Sequence, residues 1–246
     1  MNKYRLFLRK SFSYFLIAVL IIAGCAFFVP EKIPLVYKVR AASIKTAHPG
    51  LVIMLHGLGS NEDDMFGLAT HLPKEMIVVS ARAPITLAKD SYAWYKVDRS
   101  NGKFIYDASE AERARVLISQ FIDAVSKKFR IDAKRIFLLG FSQGAIMSYS
   151  VALSQPEKVK GIMALSGRLM AESRVKTGNP DKLKQLQAFI AHGTDDEILP
   201  VTDSREAAAF CTSKGVQVLM KEYPIKHQIS AQELADLLRW LNAQNM

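Results

Sequence analysis

The chain has 246 residues, and half of them are apolar, which is enough for one sizeable hydrophobic core. Its formal net charge is +10, but the basic residues are scattered and do not alternate with aromatic residues, which argues against nucleic-acid binding. The two cysteines, Cys25 and Cys211, are too few for a disulfide framework or a cysteine-rich metal site.

The N-terminal segment, residues 1–30, is predicted to lie outside the folded domain. It is predicted to be either a signal peptide or a transmembrane anchor. Residues 11–29 carry no charged side chain and follow four basic residues, Lys3, Arg5, Arg9 and Lys10. At about 1.5 Å per residue, this run just crosses a hydrocarbon core of about 30 Å. The tetrapeptide IAGC, ending at Cys25, also matches a bacterial lipoprotein cleavage box. Both interpretations predict membrane anchoring with the remainder on the extracytoplasmic, periplasmic side, and the apolar continuation at 26–29 favours the uncleaved helix.

The rest of the chain alternates between strand-like and helix-like segments. Seven apolar runs predict strands: LVYKV (35–39), LVIML (51–55), MIVVS (76–80), RIFLLG (135–140), GIMAL (161–165), QAFIA (187–191) and VQVLMKEY (216–223). Helical patterns occupy residues 107–129, 143–153, 202–214 and 230–241. This alternation predicts one α/β domain over residues 31–246, with a single mostly parallel sheet flanked by helices. The segment between GIMAL and QAFIA is too short for a folded cap domain.

The helix at residues 107–129 has the clearest local pattern. Asp107 and Glu110 have the spacing of a capping box at its start. One face carries five apolar residues, Ala114, Leu117, Ile118, Phe121 and Val125. The sequence therefore predicts an amphipathic helix packed against the sheet.

Nothing in the sequence indicates a metal or an organic cofactor, and we predict neither. The chain has no HExxH, no paired CxxC and no P-loop, and GLGSNEDD (57–64) lacks the third glycine of a dinucleotide-binding loop. The acidic run 62–64 lacks the alternating ligands of a calcium loop and is predicted to be the solvated start of a helix.

A G-x-S-x-G motif, GFSQG, follows the strand RIFLLG and precedes a helical pattern. In this context the motif predicts a sharp turn that exposes the serine, Ser142, as a nucleophile. Such a turn requires very small residues two positions before and after the serine, and Gly140 and Gly144 occupy them. The backbone N–H of Gln143, at the helix N-terminus, is predicted to stabilise an oxyanion.

The general base is predicted to be His227, because it alone among five histidines lies between the last strand and the last helix. His56 and His192 each precede a glycine at a strand end, where an imidazole fixes the loop by hydrogen bonds. The acid is expected in HGTDDEILP, but the spacing alone leaves Asp195 and Asp196 as alternatives.

From about residue 37, the chain resembles the phospholipase/carboxylesterase family of α/β hydrolases. The resemblance rests on five stretches: LHGLGSNEDDMFGLA, YAWYKVD, GFSQGAIMSYSVAL, VKGIMALSGR and HGTDDEILPV. It implies an α/β-hydrolase fold, Asp196 as the acid, His227 as the base and the backbone N–H of Leu58 as a second oxyanion donor. The family usually has glycine before this histidine, whereas Lys226 occupies the position here.

The resemblance implies a serine carboxylesterase that forms an acyl-enzyme with a small-molecule or lipid ester. Acyl-protein thioesterase and lysophospholipase activities are the alternatives, and an inactive binding module is disfavoured by the intact Ser142, Asp196 and His227. Without a cap, the site is expected to be an open groove. Its predicted walls are Leu58, Trp94, Leu169, Met170 and Ile198.

Overall fold

In the computed structural model, residues 33–98, 100 and 104–244 are described. Seven strands form the central sheet: β1 (Tyr37–Arg40), β2 (Gly50–Leu55), β3 (Met76–Ala81), β8 (Ile136–Phe141), β9 (Gly161–Leu165), β10 (Gln187–Gly193) and β11 (Gln217–Tyr223). Two hairpins lie outside it, β4 (Ile85–Ala88) with β5 (Ser91–Ala93), and β6 (Val97–Asp98) with β7 (Ile105–Tyr106). The sheet order is β1-β3-β2-β8-β9-β10-β11, and β1 is its antiparallel strand.

The predicted strands and the mostly parallel sheet are confirmed. Every residue of β2 and β3 is buried, as expected for parallel strands covered on both faces. The edge strand β11 is more exposed. Parallel strands also bring the ends of β2, β8, β10 and β11 to one edge of the sheet, where the predicted site residues follow.

Helices cover both faces of the sheet. They are α1 (Glu62–Phe66), α2 (Ala108–Phe129), α3 (Gln143–Ser154), α4 (Ala171–Val175), α5 (Pro180–Leu183), α6 (Val201–Ser213) and α7 (Ala231–Gln244). Alternate residues of β2 face opposite layers: Ile53 belongs to the cluster that contains Phe121 of α2, and Met54 to the cluster that contains Trp240 of α7. The sheet therefore separates two hydrophobic layers.

The predicted amphipathic helix is α2, but the prediction of a capping box at its start is wrong. Asp107 is the N-cap, and its carboxylate accepts the N–H of Ser109 at 2.7 Å. The carboxylate of Glu110 instead accepts the N–H of Lys96 at 2.9 Å. The helix start is thus joined to the chain that leads into the β6–β7 hairpin.

The segment between β9 and β10 contains the short helices α4 and α5, in agreement with the absence of a cap predicted there. Within the described residues, none of the helices combines the length and the apolar character needed to span a bilayer. The membrane segment predicted at residues 1–30 lies outside the described residues and stays a prediction.

Candidate active site

Ser142 occupies a strained turn between β8 and α3. Its backbone has φ 53° and ψ −115°, in the region that L-residues rarely adopt. A Cβ on Gly140 would lie 2.3 Å from the carbonyl oxygen of Gly144, and one on Gly144 would lie 1.9 Å from that of Leu55. The two glycines of the motif are therefore required by close backbone contacts, as the sequence predicts.

The structure brings Ser142, His227 and Asp196 together in one hydrogen-bonded chain. His227 Nε2 lies 2.9 Å from Ser142 Oγ, and His227 Nδ1 lies 2.6 Å from Asp196 Oδ2. These residues come from the ends of β8, β11 and β10. Asp195 is exposed, and within the described part of the chain its carboxylate accepts only the hydroxyl of Thr194, so the adjacent acid lies outside this hydrogen-bonded chain.

The Asp196 carboxylate is inaccessible to solvent and well supplied with donors. Its Oδ1 accepts the N–H groups of Ile198 at 2.8 Å and Leu199 at 2.9 Å. Burial raises the pKa of Asp196, but the hydrogen bonds from Leu199, His227 and Ile198 outweigh burial and hold the pKa below its ordinary value. The carboxylate is therefore charged at neutral pH and orients the His227 ring.

A second imidazole, that of His192, also faces Asp196. His192 Nε2 lies 3.2 Å from Asp196 Oδ2 and 2.9 Å from the carbonyl oxygen of Leu199. Both of these atoms are acceptors, so Nε2 carries a proton. The hydroxyl of Ser204, 2.6 Å from His192 Nδ1, holds the other side of the ring. His192 fixes its loop as predicted, through its hydrogen bond to the Leu199 carbonyl, but its closeness to Asp196 was not foreseen.

His56 fixes the loop after β2. Its Nε2 accepts the N–H of Ala83 at 3.0 Å, so Nδ1 is protonated and donates to the carbonyl of Gly57 at 2.8 Å. Burial lowers the pKa of His56, so the ring is neutral. The indole of Trp94 donates to the His56 carbonyl at 2.9 Å, which adds a third attachment.

The two predicted oxyanion donors lie beside Ser142. The N–H groups of Leu58 and Gln143 donate to no other group among the described residues, and both residues line the same hollow as Ser142. The Gln143 side chain accepts the N–H of Trp94 at 2.9 Å and donates to the carbonyl of Tyr95 at 2.7 Å. The start of α3 is thereby held against the 94–95 segment.

Two hollows open on either side of Ser142. The small hollow has apolar walls made by Tyr95, Val97, Phe104, Ile146 and Leu199, and its charged residue is Arg168. The wide hollow contains His227 and has apolar walls made by Met65, Leu68, Phe141 and Ile229. The predicted open groove is thus divided into two parts at the serine.

Of the predicted walls, Leu58 lines both hollows, and the other four line neither. Trp94 is completely buried, and Leu169 and Met170 are core residues. Ile198 is 42% exposed but lines neither hollow. The chain neighbours Tyr95, Arg168 and Leu199 line the small hollow instead. Adjacent side chains on extended chain point in opposite directions, so a shift of one position exchanges wall and core.

The acidic run at residues 62–64 does start a helix, α1, but it is only partly solvated. Glu62 is buried and forms an ion pair with Arg82, whose Nε lies 2.7 Å from Glu62 Oε2. Asp63 and Asp64 are exposed. Across the described part of the chain, no group of three or more histidine, cysteine or acidic side chains is arranged to hold a metal ion.

Lys226, which replaces the usual glycine before the histidine, does not displace the base. Its φ is not positive, and its side chain extends outward to Glu197, with 3.5 Å between Nζ and Oε1. The glycine that this loop does require is Gly193, where a Cβ would lie 2.1 Å from the carbonyl oxygen of Ile225. The loop therefore has room for a lysine at this position.

Comparisons with known proteins identify the family of the chain. The family model described as Phospholipase/Carboxylesterase matches residues 38–245. Acyl-protein thioesterase 1 of Emericella nidulans is 26% identical over 215 residues, which cover 79% of this chain and 90% of that protein. The corresponding protein of Aspergillus fumigatus is 28% identical over 214 residues, 79% of this chain and 87% of the relative.

Solved structures show the same fold. The Bacillus cereus carboxylesterase superposes with a TM-score of 0.74 at 21% identity and covers 92% of this chain and 98% of its own. The predicted α/β-hydrolase fold is confirmed.

Proposed function

Because the chain belongs to the phospholipase/carboxylesterase family, and is thus a hydrolase of this type, we propose that it cleaves carboxylic esters with Ser142 as nucleophile. The observation that carries the proposal is the hydrogen-bonded chain from Asp196 through His227 to Ser142. The strained turn supports it as well, because backbone strain of this kind is retained where a side chain must be exposed for chemistry.

In the first half-reaction, Ser142 Oγ attacks the carbonyl carbon while His227 Nε2 takes its proton. The imidazolium is stabilised by the charged Asp196, whose hydrogen bonds keep it ionised. The N–H groups of Leu58 and Gln143 donate to the tetrahedral oxyanion. His227 then returns the proton to the leaving oxygen, the C–O bond breaks, and the acyl-enzyme remains.

In the second half-reaction, a water molecule replaces the alcohol. His227 takes a proton from the water as its oxygen attacks the acyl carbon, and the same N–H groups hold the second oxyanion. Collapse of this intermediate breaks the bond to Ser142 Oγ, which regains its proton from His227. The free carboxylic acid leaves, and the enzyme is restored.

The test uses Ser142→Ala, with Ser166→Ala as a matched control. Both serines have a positive φ at the ends of neighbouring strands, but Ser166 Oγ is buried and has no hydrogen-bond partner in the described residues. We expect Ser142→Ala to lose fluorophosphonate labelling and p-nitrophenyl butyrate hydrolysis, and Ser166→Ala to retain both. A wild-type protein that neither labels nor hydrolyses any ester would instead identify an inactive binding module.

Thioester cleavage is the second candidate, because the relatives that cover 79% of the chain are named acyl-protein thioesterases. The same nucleophile and base serve a thioester, whose thiolate leaves in place of an alkoxide. Matched octanoyl oxygen esters and thioesters, assayed with wild type and Ser142→Ala, separate the two preferences. A kcat/KM at least tenfold higher for the thioester would establish the thioesterase. The same panel, extended to a lysophospholipid, covers that alternative.

We also propose that residues 1–30 hold the domain on a membrane, on the extracytoplasmic side. The support is the uncharged run after a basic lead. In Cys25→Ser, an acylated lipoprotein would lose its lipid label and shift in mass, whereas an uncleaved helix would be unaffected. Full-length protein that fractionates as soluble in the cytosol would contradict both versions.

A further inference from the structure

Arg168 is a charged residue in the wall of the small hollow, beside the proposed nucleophile. It follows β9 by three positions and is half-buried. Its guanidinium lies over the ring of Phe104, with 4.5 Å between Cζ and the ring centroid. This stacking fixes the plane of the guanidinium but leaves the N–H groups at its edge available.

Within the described residues, these N–H groups have neither an ion pair nor a hydrogen bond. Two acidic residues, Glu172 and Asp203, lie in the same region but do not pair with Arg168. Glu172 accepts the hydroxyl of Tyr106 at 2.9 Å, and Asp203 forms no ion pair within the described residues. Other arginines of the domain do pair with carboxylates, as Arg82, Arg115 and Arg205 illustrate. Because a half-buried guanidinium without a partner is unfavourable, the small hollow is suited to an anionic group.

The position of His227 identifies which part of a substrate enters the small hollow. His227 gives a proton to the leaving group, so the leaving group must lie on the His227 side, in the wide hollow. The small hollow lies on the other side, and both oxyanion-donor residues, Leu58 and Gln143, line it. The acyl group, which stays attached to Ser142, therefore extends into the small hollow toward Arg168.

On the basis of the proposed function, we propose that the preferred substrates carry a short acyl group that ends in a carboxylate, as in monoesters of short dicarboxylic acids. The planar guanidinium of Arg168 binds the terminal carboxylate in a bidentate manner, and Tyr95, Val97 and Leu199 contact the methylene groups between the two ends. The leaving alcohol is apolar, because Met65, Leu68 and Ile229 line the wide hollow.

The experiment compares two substrates of equal chain length, p-nitrophenyl hydrogen glutarate and its methyl-capped form, p-nitrophenyl methyl glutarate. We expect the wild type to prefer the free carboxylate by roughly 10-fold or more in kcat/KM, the scale of a hydrogen-bonded charge pair. Arg168→Gln is expected to lower the rate for the free carboxylate much more than the rate for the capped ester, which removes the preference, and Arg168→Lys to restore part of it. Arg174→Gln, at an exposed arginine that pairs with Glu206, serves as the matched control and is expected to keep the preference.

A wild type that cleaves both esters equally, or prefers the capped one, overturns the inference whether or not the variants fold. Equal losses on both esters in Arg168→Gln and Arg168→Lys, with normal unfolding temperatures, also overturn it. In those cases Ser142-dependent hydrolysis of the capped ester leaves the proposed function intact. A wild type that cleaves neither ester and does not react with a fluorophosphonate overturns the proposed function, and this inference with it.

Discussion

Two loops lie beside Ser142 and have different proposed functions. The loop after β2, residues 56–61, carries an oxyanion donor, and the loop after β11, residues 224–230, carries the general base. The first presents the Leu58 N–H and is attached to the core on several sides. The His56 ring bonds to Ala83, Trp94 donates to the His56 carbonyl, and the N–H of Gly59 donates to the carbonyl of Tyr92 at 2.9 Å. Its geometry is therefore set by neighbouring elements and does not depend on the triad.

The second loop presents His227 and has fewer attachments. The N–H of Asp195 donates to the carbonyl of Ile225 at 3.1 Å, and the His227 ring lies 4.9 Å from that of Phe141. The strongest restraint on the imidazole is the Asp196 carboxylate at 2.6 Å. We infer that the oxyanion loop is preorganised by the fold, whereas the base is positioned mainly by one buried charge.

Each loop is followed by a helix whose first turn contains a buried glutamate, and the two glutamates differ in charge. Glu62 of α1 hydrogen-bonds to Arg82, which lowers its pKa. Glu233 of α7 forms a capping box with Ser230 and has no ion pair among the described residues, and burial raises its pKa to about 7. The same side chain is therefore ionised beside the oxyanion loop and largely protonated beside the base loop in mildly acidic solution.

The largest effect on catalysis is expected from a substitution of Asp196, because the base loop depends on its carboxylate. Asp196→Asn should lower kcat by about a thousandfold or more, because the amide favours the wrong tautomer of His227. Asp195→Asn, which leaves the exposed neighbour uncharged, should stay within about threefold. Steady-state kinetics on one ester decide the matter, and equal losses in the two variants would contradict the assignment of Asp196.

A smaller loss is expected from His192→Phe, which keeps the ring volume but removes the Nε2–H that donates to the Leu199 carbonyl, next to the N–H that binds Asp196. A neutral hydrogen bond contributes about 0.5–1.5 kcal/mol, which corresponds to a decrease in kcat of roughly 2- to 10-fold. KM is expected to change little, since the ring is buried and touches neither hollow. His192→Gln, which retains an N–H, should recover part of the rate, and an unchanged kcat in His192→Phe would show that the N–H groups of Ile198 and Leu199 hold the acid without this ring.

Glu233→Gln is expected to change stability and not the mechanism. Since the folded pKa of about 7 exceeds the unfolded value of about 4.3, the stabilisation is complete below pH 4.3 and is lost as the pH rises through 7. The stability of the variant relative to the wild type should therefore increase by about 3 kcal/mol between pH 4.5 and pH 8. Thermal unfolding at a series of pH values measures this difference, and parallel curves would contradict the raised pKa.

The smallest effect, of opposite sign, is expected from Glu62→Gln. The lowered pKa of Glu62 means that its stabilisation is present above the unfolded pKa and is lost as the pH falls through the folded one. The variant should be about 1 kcal/mol less stable than the wild type at pH 7, and the difference should disappear in acid. A difference that persists at pH 2 would indicate packing rather than charge.

The sequence by itself predicted the strands and helices and the candidate nucleophile. Continuous apolar runs marked the strands, because parallel strands are covered on both faces, and strand–turn–helix context with Gly140 and Gly144 marked Ser142. Chain order then distinguished His227 from the other histidines. These features are local or follow from the order of elements, so they can be read without knowing which loops meet.

The pattern of residues alone did not decide between neighbours in the loops, and the tertiary structure was needed to show which of them face the site. Spacing could not separate Asp195 from Asp196, and the register of the family resemblance was needed to choose the second. The same uncertainty of one position applies to the walls of the site. The sequence predicted Trp94, Leu169 and Ile198, whereas their neighbours Tyr95, Arg168 and Leu199 line the small hollow. In extended or looped backbone, adjacent side chains point in opposite directions, and hydrogen bonds from distant segments select which one faces the site. The position of Arg168, which has no ion pair among the described residues, and the closeness of His192 to Asp196 arise in the same way, from loops brought together by the parallel sheet.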